Sequence, residues 1–517
     1  MIPLFDRRRK GLLAAVLATA LVQLGATIVV ARTLHGAGHG VWPMAAFAAV
    51  LGFGCEALLR RLSEGLGLDY VTAVREHLFR HLVEVEPAVI QRRRHGAMLQ
   101  SFVGDLTALR QWVAEGVMRS ILALVALFGL IGWLALARPQ LAVAALGIVA
   151  LACLGGALLL RPLSRAVRTV RRERGRVSAF ASERLSASAT ILASARGAAE
   201  AKRLANRVDR LNRAALKRAW LTGLLRALPH LATTAIVIAA VLAGGSLPAG
   251  GMAGTVLVIG IIGLALRDLA RAAELTVPGL ISHRRIELLL ALPQLQRGEP
   301  QPWKRGEIRS LVMARLKLER LAKPFDASAR QGDVIGIDGD PRLARTLFQV
   351  LAGLANPASG TARWNGSDLL ARTPARRRRI VGLASADLPL LHGSNALNLR
   401  YRLPDASAEE IAALAQAWQI ELKANDGNPA HLVLLRALVG KPPVLLLSPD
   451  ELALDDGGAL RLADALKDWP GVVLLTSRHP VLTRIMTRHW TLNSEGLADQ
   501  PVPAGPALAP VRRERRA

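Results

Sequence analysis

The chain has 517 residues, of which 51% are hydrophobic, and its mean hydropathy is +0.30. This composition excludes an ordinary soluble enzyme and favours a membrane protein with two or three domains. The formal net charge of +28 fits an anionic partner, but only 4% of the residues are aromatic and the basic residues lie between apolar stretches. Base stacking needs interleaved aromatics, so the sequence predicts no nucleic-acid partner and favours anionic lipids. Both cysteines, Cys55 and Cys153, lie in apolar segments, which excludes a disulfide framework and a thiolate metal site.

Apolar runs long enough to cross a bilayer fill the first half of the chain. About 20 helical residues cross a hydrocarbon core of roughly 30 Å. Four runs have this length, and a fifth has twice this length but is broken by GGSLPAGG at 244–251. The sequence therefore predicts six transmembrane helices, at 11–30, 41–59, 120–137 and 141–160 and two within 227–266.

Two long arginine-rich segments, 60–119 and 161–226, connect these runs. Moving Lys and Arg across a bilayer is costly, so both segments and both termini are predicted to be cytoplasmic. Apolar residues recur every three or four positions in 75–113, which predicts helices that extend into the cytosol. Glu56 lies near the cytoplasmic end of its span, and we interpret it as reaching polar surroundings rather than as a ligand for an ion or substrate. The spans offer scarcely any other charged or aromatic anchor for a substrate.

A second domain follows the membrane segment. Short aliphatic strands alternate with helical stretches in 308–497, which predicts a mainly parallel sheet covered by helices. The proline and charges of 291–307 are typical of a linker, and 498–517 is predicted to be a basic, disordered tail. The membrane domain would then occupy 1–290.

This organisation resembles the exporter type of the ATP-binding cassette (ABC) transporter family. Residues 79–113 and 182–204 look like the two intracellular loops of that family, and 325–366 is similar to its run through the Walker A motif. The resemblance implies an α-helical membrane domain of six transmembrane helices with long cytoplasmic extensions, followed by an α/β P-loop NTPase-like ABC domain. It also implies ATP and Mg²⁺ as ligands, an integral protein of a bacterial inner membrane, and action as a dimer.

The segment GDPRLART, 339–346, takes the place of the phosphate loop. Such a loop needs glycines whose backbone N–H groups surround the phosphates, then a Lys, and then a Ser or Thr for Mg²⁺. By the resemblance, Gly339, Arg345 and Thr346 stand at the first glycine, the Lys and the Thr, and are the candidate ATP-binding residues. Arg342 and Ala344 replace the other two glycines, and Pro341 removes one amide donor. The alternative interpretation is an ordinary strand-to-helix turn preserved for packing.

The acids of the family's Walker B motif are displaced. By the resemblance, its Mg²⁺-binding Asp falls on Ser448 and its catalytic Glu on Pro449, so neither a catalytic residue nor a metal ligand is predicted. A two-residue slip would instead give these roles to Asp450 and Glu451, which we interpret as solvated loop acids.

The other family motifs depart as well. Asn425 and Asp426 replace the Ser and first Gly of the signature, and Ala386 and Ser477 replace the Q-loop Gln and the switch His. We interpret His479 as a surface residue. The arginine clusters at 171–175 and 376–379 are interpreted as solvated faces or as contacts to anionic headgroups.

These losses together predict a non-catalytic ABC half-transporter. It would pair with a second half-transporter, either a different chain or another copy of itself. One alternative is an active ATP-hydrolysing exporter that uses the slipped acids. The other is a membrane scaffold or regulator that transports nothing.

Overall fold

The computed structural model describes residues 3, 6–35, 42–91, 98, 101–243, 249–295 and 310–500. Contacts divide the chain into two units, Met1–Val83 with Arg93–Leu292 and Glu84–Arg92 with Pro293–Ala517. Glu84–Arg92 joins the second unit because Val85 pairs with Gln294 in a single antiparallel bridge and the Leu295 amide donates to the Glu84 carbonyl at 2.8 Å. The predicted linker at 291–307 and tail at 498–517 lie largely outside the described residues, so the predicted boundaries stay predictions.

The first unit is helical. Two π-helical turns, Ser101–Asp105 and Trp112–Val117, lie within the continuous helical stretch that ends at Ala137. The helices of this half of the chain are α1 (Arg7–His35), α2 (Trp42–Val83), α3 (Pro87–Gln91, in the second unit), α4 (Leu106–Gln111), α5 (Met118–Ala137), α6 (Pro139–Ser186), α7 (Ser188–Ala193), α8 (Gly197–Ala243) and α9 (Ala249–Leu290).

Several of these helices are much longer than a bilayer is thick. The 48 residues of α6 extend about 72 Å at 1.5 Å per residue. Its apolar half and its arginine-rich half therefore form one continuous helix, as predicted. The side of the membrane on which the long ends lie stays a prediction.

Five helical stretches in the described part are long and apolar enough to cross a membrane. They are Arg7–Thr33, Pro43–Val83, Phe102–Ala137, Pro139–Ser186 and Gly197–Leu242. The sixth long helix, α9, carries Arg267, Asp268 and Arg271 directly behind its apolar first half. A helical membrane domain is confirmed, whereas the count of six spans stays a prediction. The break predicted at 244–251 lies mostly outside the described residues.

A buried polar cluster lies within the helical unit. Asp105 is 3% exposed, and its Oδ1 accepts hydrogen bonds from Ser282 Oγ at 2.9 Å and from Arg171 Nη1 at 3.4 Å. Arg285 lies 3.6 Å from the other carboxylate oxygen. The interpretation of 171–175 as a solvated cluster is therefore wrong for Arg171, because this guanidinium neutralises a buried acid.

The second unit contains two sheets. A six-stranded sheet has the order β10-β9-β3-β8-β7-β6, and every pairing in it is parallel except that of β9 with β10. A four-stranded antiparallel sheet has the order β2-β1-β4-β5. The strands are β1 (Ser310–Lys317), β2 (Phe325–Arg330), β3 (Val334–Gly339), β4 (Ser359–Trp364), β5 (Ser367–Asp368), β6 (Val381–Ala384), β7 (Val444–Leu447), β8 (Val472–Leu475), β9 (Arg488–Asn493) and β10 (Gly496–Gln500). The prediction of a mainly parallel sheet is confirmed.

Helices cover both faces of the parallel sheet. Leu446 and Leu474 point into one apolar core and Leu445 and Val473 into another, as the alternation of side chains along a strand requires. The covering helices are α10 (Pro341–Ala352), α11 (Pro374–Ile380), α12 (Asn395–Arg400), α13 (Ala408–Ala417), α14 (Pro429–Leu438), α15 (Asp456–Leu466) and α16 (Pro480–Thr483). The loops that follow β3, β6, β7 and β8 meet at one edge of the sheet, where ligands bind in open α/β sheets.

Arg377 does not belong to a solvated face. It is 8% exposed, and its guanidinium donates to the carbonyls of Leu369, Leu370 and Arg372, each at 3.0 Å. The interpretation of 376–379 as a solvated cluster is therefore wrong at this position. It holds for Arg376 and Arg379, which are exposed.

Candidate functional site

A pocket of about 230 Å³ lies at the carboxyl edge of the parallel sheet. It is formed where β3, β7 and β8 end, so three separate loops contribute to it. Its polar lining residues are Asp338, Gly339, Asp340, Arg345, Ser448, Asp450, Glu451, Thr476, Ser477 and Arg478. Four carboxylates face two arginines in this set, so the lining carries net negative charge.

The turn from β3 into α10 is short, because the helix begins at Pro341, two residues after Gly339. Asp340 is the N-cap residue, and its Oδ1 accepts a hydrogen bond from the Arg342 amide at 2.8 Å. The amides of Leu343 and Ala344 donate to the Asp340 carbonyl at 3.0 and 3.1 Å. Proline is favoured at the first helical position, where its missing N–H costs no hydrogen bond. The amides expected to surround a phosphate are therefore bonded within the chain.

Gly339 is required by its own backbone. Its φ is +107°, and a Cβ at this position would lie 2.1 Å from the carbonyl oxygen of Leu492 on β9. The backbone of β3 thus approaches β9 more closely than any side chain permits. Packing alone accounts for this glycine.

Substituting Gly339 by Ala is expected to lower the free energy of unfolding by about 3 kcal/mol or more, because strain at positive φ and a backbone clash add. Gly332→Ala is the matched control, since its φ is +91° and nothing lies within 4 Å of the added Cβ. The control should lose only about 1 kcal/mol. Denaturant-induced unfolding of the full chain in detergent measures both, and equal losses would contradict the role of the clash.

Arg345 is held by acidic side chains. Its Nε and Nη2 lie 3.1 and 2.9 Å from Glu451 Oε1, and Nε lies 3.5 Å from Asp387 Oδ2. The hydrogen bond that Arg345 donates to the Glu451 carboxylate raises the pKa of Arg345 above its usual value. The cation at the predicted Lys position is therefore already paired. Thr346 lies one residue further along α10, and its hydroxyl donates to the Arg342 carbonyl at 2.8 Å.

The two acids after β7 are not simply solvated. Glu451 is 22% exposed and forms an ion pair with Arg345. Its interpretation as a solvated loop acid is therefore wrong. Asp450 is exposed, but its carboxylate accepts from Ser477 Oγ at 2.7 Å and from the Arg478 amide at 2.9 Å. Ser448 itself is 3% exposed, and its amide donates to the Ala384 carbonyl. Both acids thus point toward the pocket that Gly339 and Arg345 line.

The remaining motif positions are spread around this edge. Ala386 is exposed just after β6, and Asn425 and Asp426 are exposed before α14. His479 is 22% exposed and its Nε2 lies 3.0 Å from Asp456 Oδ1, so it is a partly buried residue at the surface.

Sequence reasoning missed two sets of polar residues. His431, at the start of α14, lies 2.7 Å from Asp455, and this hydrogen bond lowers the pKa of Asp455. A second cavity, of about 600 Å³, lies inside the helical unit. Its charged lining residues are Glu56, Arg60, Glu64, Glu115, Arg119 and Asp268. Of these six residues only Glu56 lies within a predicted span, and the other five flank the spans, where they could have been noticed only as isolated charges beside apolar runs.

Residues 12–261 match the family described as the ABC transporter transmembrane region. The solved structure of a bacterial Atm1-family ABC exporter with ATP bound superposes with a TM-score of 0.79. The two chains share 18% sequence identity. The match covers 96% of this chain and 95% of the exporter chain. The likeness shows a shared fold.

Curated relatives match over shorter stretches. The mitochondrial ATP-binding cassette sub-family B member 10 of Mus musculus is 24% identical over 435 residues, which is 76% of this chain and 60% of the relative. The multidrug efflux ATP-binding/permease protein Rv0194 of Mycobacterium tuberculosis is 27% identical over 204 residues, or 35% of this chain and 17% of the relative. The matches thus cover only part of the length of these relatives.

The chain is an integral membrane protein whose residues 12–261 are similar to the ABC transporter transmembrane region, and its fold is that of an ABC exporter. With one transmembrane region and one α/β domain, the chain is similar in organisation to an ABC exporter half-transporter, and the resemblance seen in the sequence is confirmed. The P-loop character of the α/β domain stays a prediction.

Proposed function

We propose that this chain is a non-catalytic half of an ABC-type exporter in a bacterial inner membrane, with both termini cytoplasmic. One observation carries the proposal: the groups that would hold phosphate already donate hydrogen bonds to carboxylates of the chain. Asp340 bonds the Arg342 amide at 2.8 Å, and Glu451 bonds Arg345 at 2.9 Å. A nucleotide would have to displace both contacts before it could bind.

We infer that the pocket does not fit a magnesium nucleotide as it stands. Its volume of about 230 Å³ is below the roughly 300 Å³ at which small-molecule sites begin. The excess of carboxylates repels a polyanion. Ser448 brings no charge to a metal, and the Thr346 hydroxyl is bonded to the Arg342 carbonyl.

A second half-transporter is proposed as the partner, because exporters that this chain resembles act as dimers. A different chain suits the role better than another copy, since a homodimer would contain two impaired sites. Asp426 would face the partner's nucleotide with negative charge. Anionic lipids of the cytoplasmic leaflet are the proposed surroundings of the exposed arginines.

Nucleotide-dependent thermal stability tests the proposal. A ligand present at 100 times its dissociation constant stabilises the folded state by about 2.7 kcal/mol. We expect MgATP to shift the melting temperature of the full chain in detergent no more than an equal ionic strength of inorganic triphosphate. A saturable shift specific to MgATP would contradict the proposal.

The second candidate function is an active exporter that uses the slipped acids. It is favoured by the position of Asp450 and Glu451, which line the same pocket as Gly339 and Arg345. On this reading Asp450→Asn and Glu451→Gln abolish ATP-dependent transport, whereas our proposal expects little change. Transport into inverted vesicles measures the difference, and Asp456→Asn, an exposed acid outside the pocket lining, is the matched control.

A further inference from the structure

The cavity of about 600 Å³ in the helical unit is bounded by α1, α2, α9 and the helical stretch that ends at Ala137. Its polar lining is unusual for a bundle of apolar helices. Charged side chains inside a membrane domain are costly and as a rule are paired.

Three of its acids are in ion pairs. Arg119 Nη1 lies 2.9 Å from Asp268 Oδ1, and Glu115 lies 3.9 Å from Arg271. Glu64 accepts a hydrogen bond from Arg110. Each of these pairs joins two different helical segments, and the charges of its acid and its arginine cancel. They stabilise the walls of the cavity and leave no net charge for a ligand.

Glu56 and Arg60 differ from the other charges. Among the described residues, neither has an oppositely charged group within 4 Å. They lie four residues apart on α2, where they could pair with each other. Instead, Glu56 Oε2 accepts a hydrogen bond from Gln23 Nε2 of α1 at 3.1 Å. The neutral amide therefore holds the carboxylate against α1, and one negative and one positive charge, both on exposed residues, line the same cavity without an ion pair.

Ser63 supplies an independent observation. It lines the cavity and is 7% exposed, yet its buried hydroxyl oxygen has no hydrogen-bond partner. A serine within a helix commonly bonds the carbonyl four residues earlier, and this one does not. A buried polar group left without a partner costs free energy, and a polar ligand would remove that cost.

We propose that this cavity binds a zwitterion, a molecule that carries an ammonium group and a phosphate or carboxylate group about 5–6 Å apart, one helical turn. Glu56 binds the ammonium group, Arg60 binds the anionic group and the Ser63 hydroxyl donates to it. The ligand is either a free small zwitterion or the headgroup of a zwitterionic lipid. That it is a transported substrate rests on the proposed function, but its binding does not.

Binding is measured on the full chain without nucleotide. The free probe is O-phosphoethanolamine, titrated in detergent, and the lipid probe is dioleoylphosphatidylethanolamine in nanodiscs of phosphatidylglycerol. Ethanolamine and inorganic phosphate each carry only one of the two charges and should bind far more weakly. Binding of the free probe identifies a small molecule, and binding of the lipid probe alone identifies a headgroup.

Glu56→Gln and Arg60→Gln are each expected to weaken binding about tenfold or more, since each loses a charge-assisted hydrogen bond. Glu76→Gln and Arg61→Gln are the controls, because both lie on α2 outside the cavity lining. The reversed pair Glu56→Arg with Arg60→Glu keeps the net charge and is expected to regain most of the affinity. This double variant keeps the test valid if a single variant folds poorly.

The proposal is overturned if neither probe binds, or if the cavity variants lose no more affinity than their controls. These outcomes leave the proposed function untouched, because they involve no nucleotide. Conversely, ATP hydrolysis by the chain would refute its non-catalytic role without changing the cavity.

Discussion

The full chain purified in detergent is expected to hydrolyse MgATP no faster than a mock preparation from the same host membranes. Enzymes commonly turn over at about 1 s⁻¹ or faster, so an active cassette would be detected easily. Restoring the two acids with Ser448→Asp and Pro449→Glu is expected to leave the rate at this background. The reason is that Asp340 and Glu451 still occupy the amide and the guanidinium that phosphate would need.

Rebuilding the phosphate loop separates binding from hydrolysis. The variant combines four substitutions, Asp340→Ser, Arg342→Gly, Ala344→Gly and Arg345→Lys. It removes the internal carboxylate, frees the backbone and restores the compact charge of Lys. We expect it to gain a thermal shift with MgATP, which Ser448→Asp with Pro449→Glu alone does not give. Brisk turnover in the unmodified chain that Glu451→Gln removes would instead establish the slipped acids as catalytic.

The sheet and the long helices could be predicted from the sequence because their signals are local. β7 and β8 are buried on both faces, so they appear as continuous aliphatic runs, Val444–Leu447 and Val472–Leu475. The same holds for the apolar spans. Each of these signals depends only on residues that are neighbours in the sequence.

The state of the candidate site depends on distant contacts. Arg345 and Glu451 are 106 residues apart, and no local pattern shows that they pair. Motif comparison placed Arg345 at the Lys position, but only the fold shows that its charge is already neutralised. The cavity beside Glu56 was even less predictable from the sequence, because residues of four helical segments form it.

Arg377 gives the second large expected effect, and its three neighbours in the run 376–379 make it a controlled test. Its guanidinium also contacts Gly353, the C-terminal cap residue of α10. The Nη1 atom fills the space that a Cβ at position 353 would need. A cation at that end of a helix is favoured by the helix dipole. The side chain thus satisfies three carbonyls of the loop before α11 and joins that loop to α10.

Arg377→Ala is expected to lower the free energy of unfolding by about 3–5 kcal/mol, because three carbonyls lose the guanidinium donor at once and two of these hydrogen bonds are buried. Arg379→Ala removes the same side chain from an exposed position, where it pairs with Asp405 at 2.6 Å. That control should cost less than about 1 kcal/mol, as exposed ion pairs do. Arg377→Lys keeps the charge but loses the planar fork and should fall between the two. Denaturant-induced unfolding of the full chain in detergent ranks the three variants. Equal losses at 377 and 379 would mean that the cluster acts as a solvated face after all.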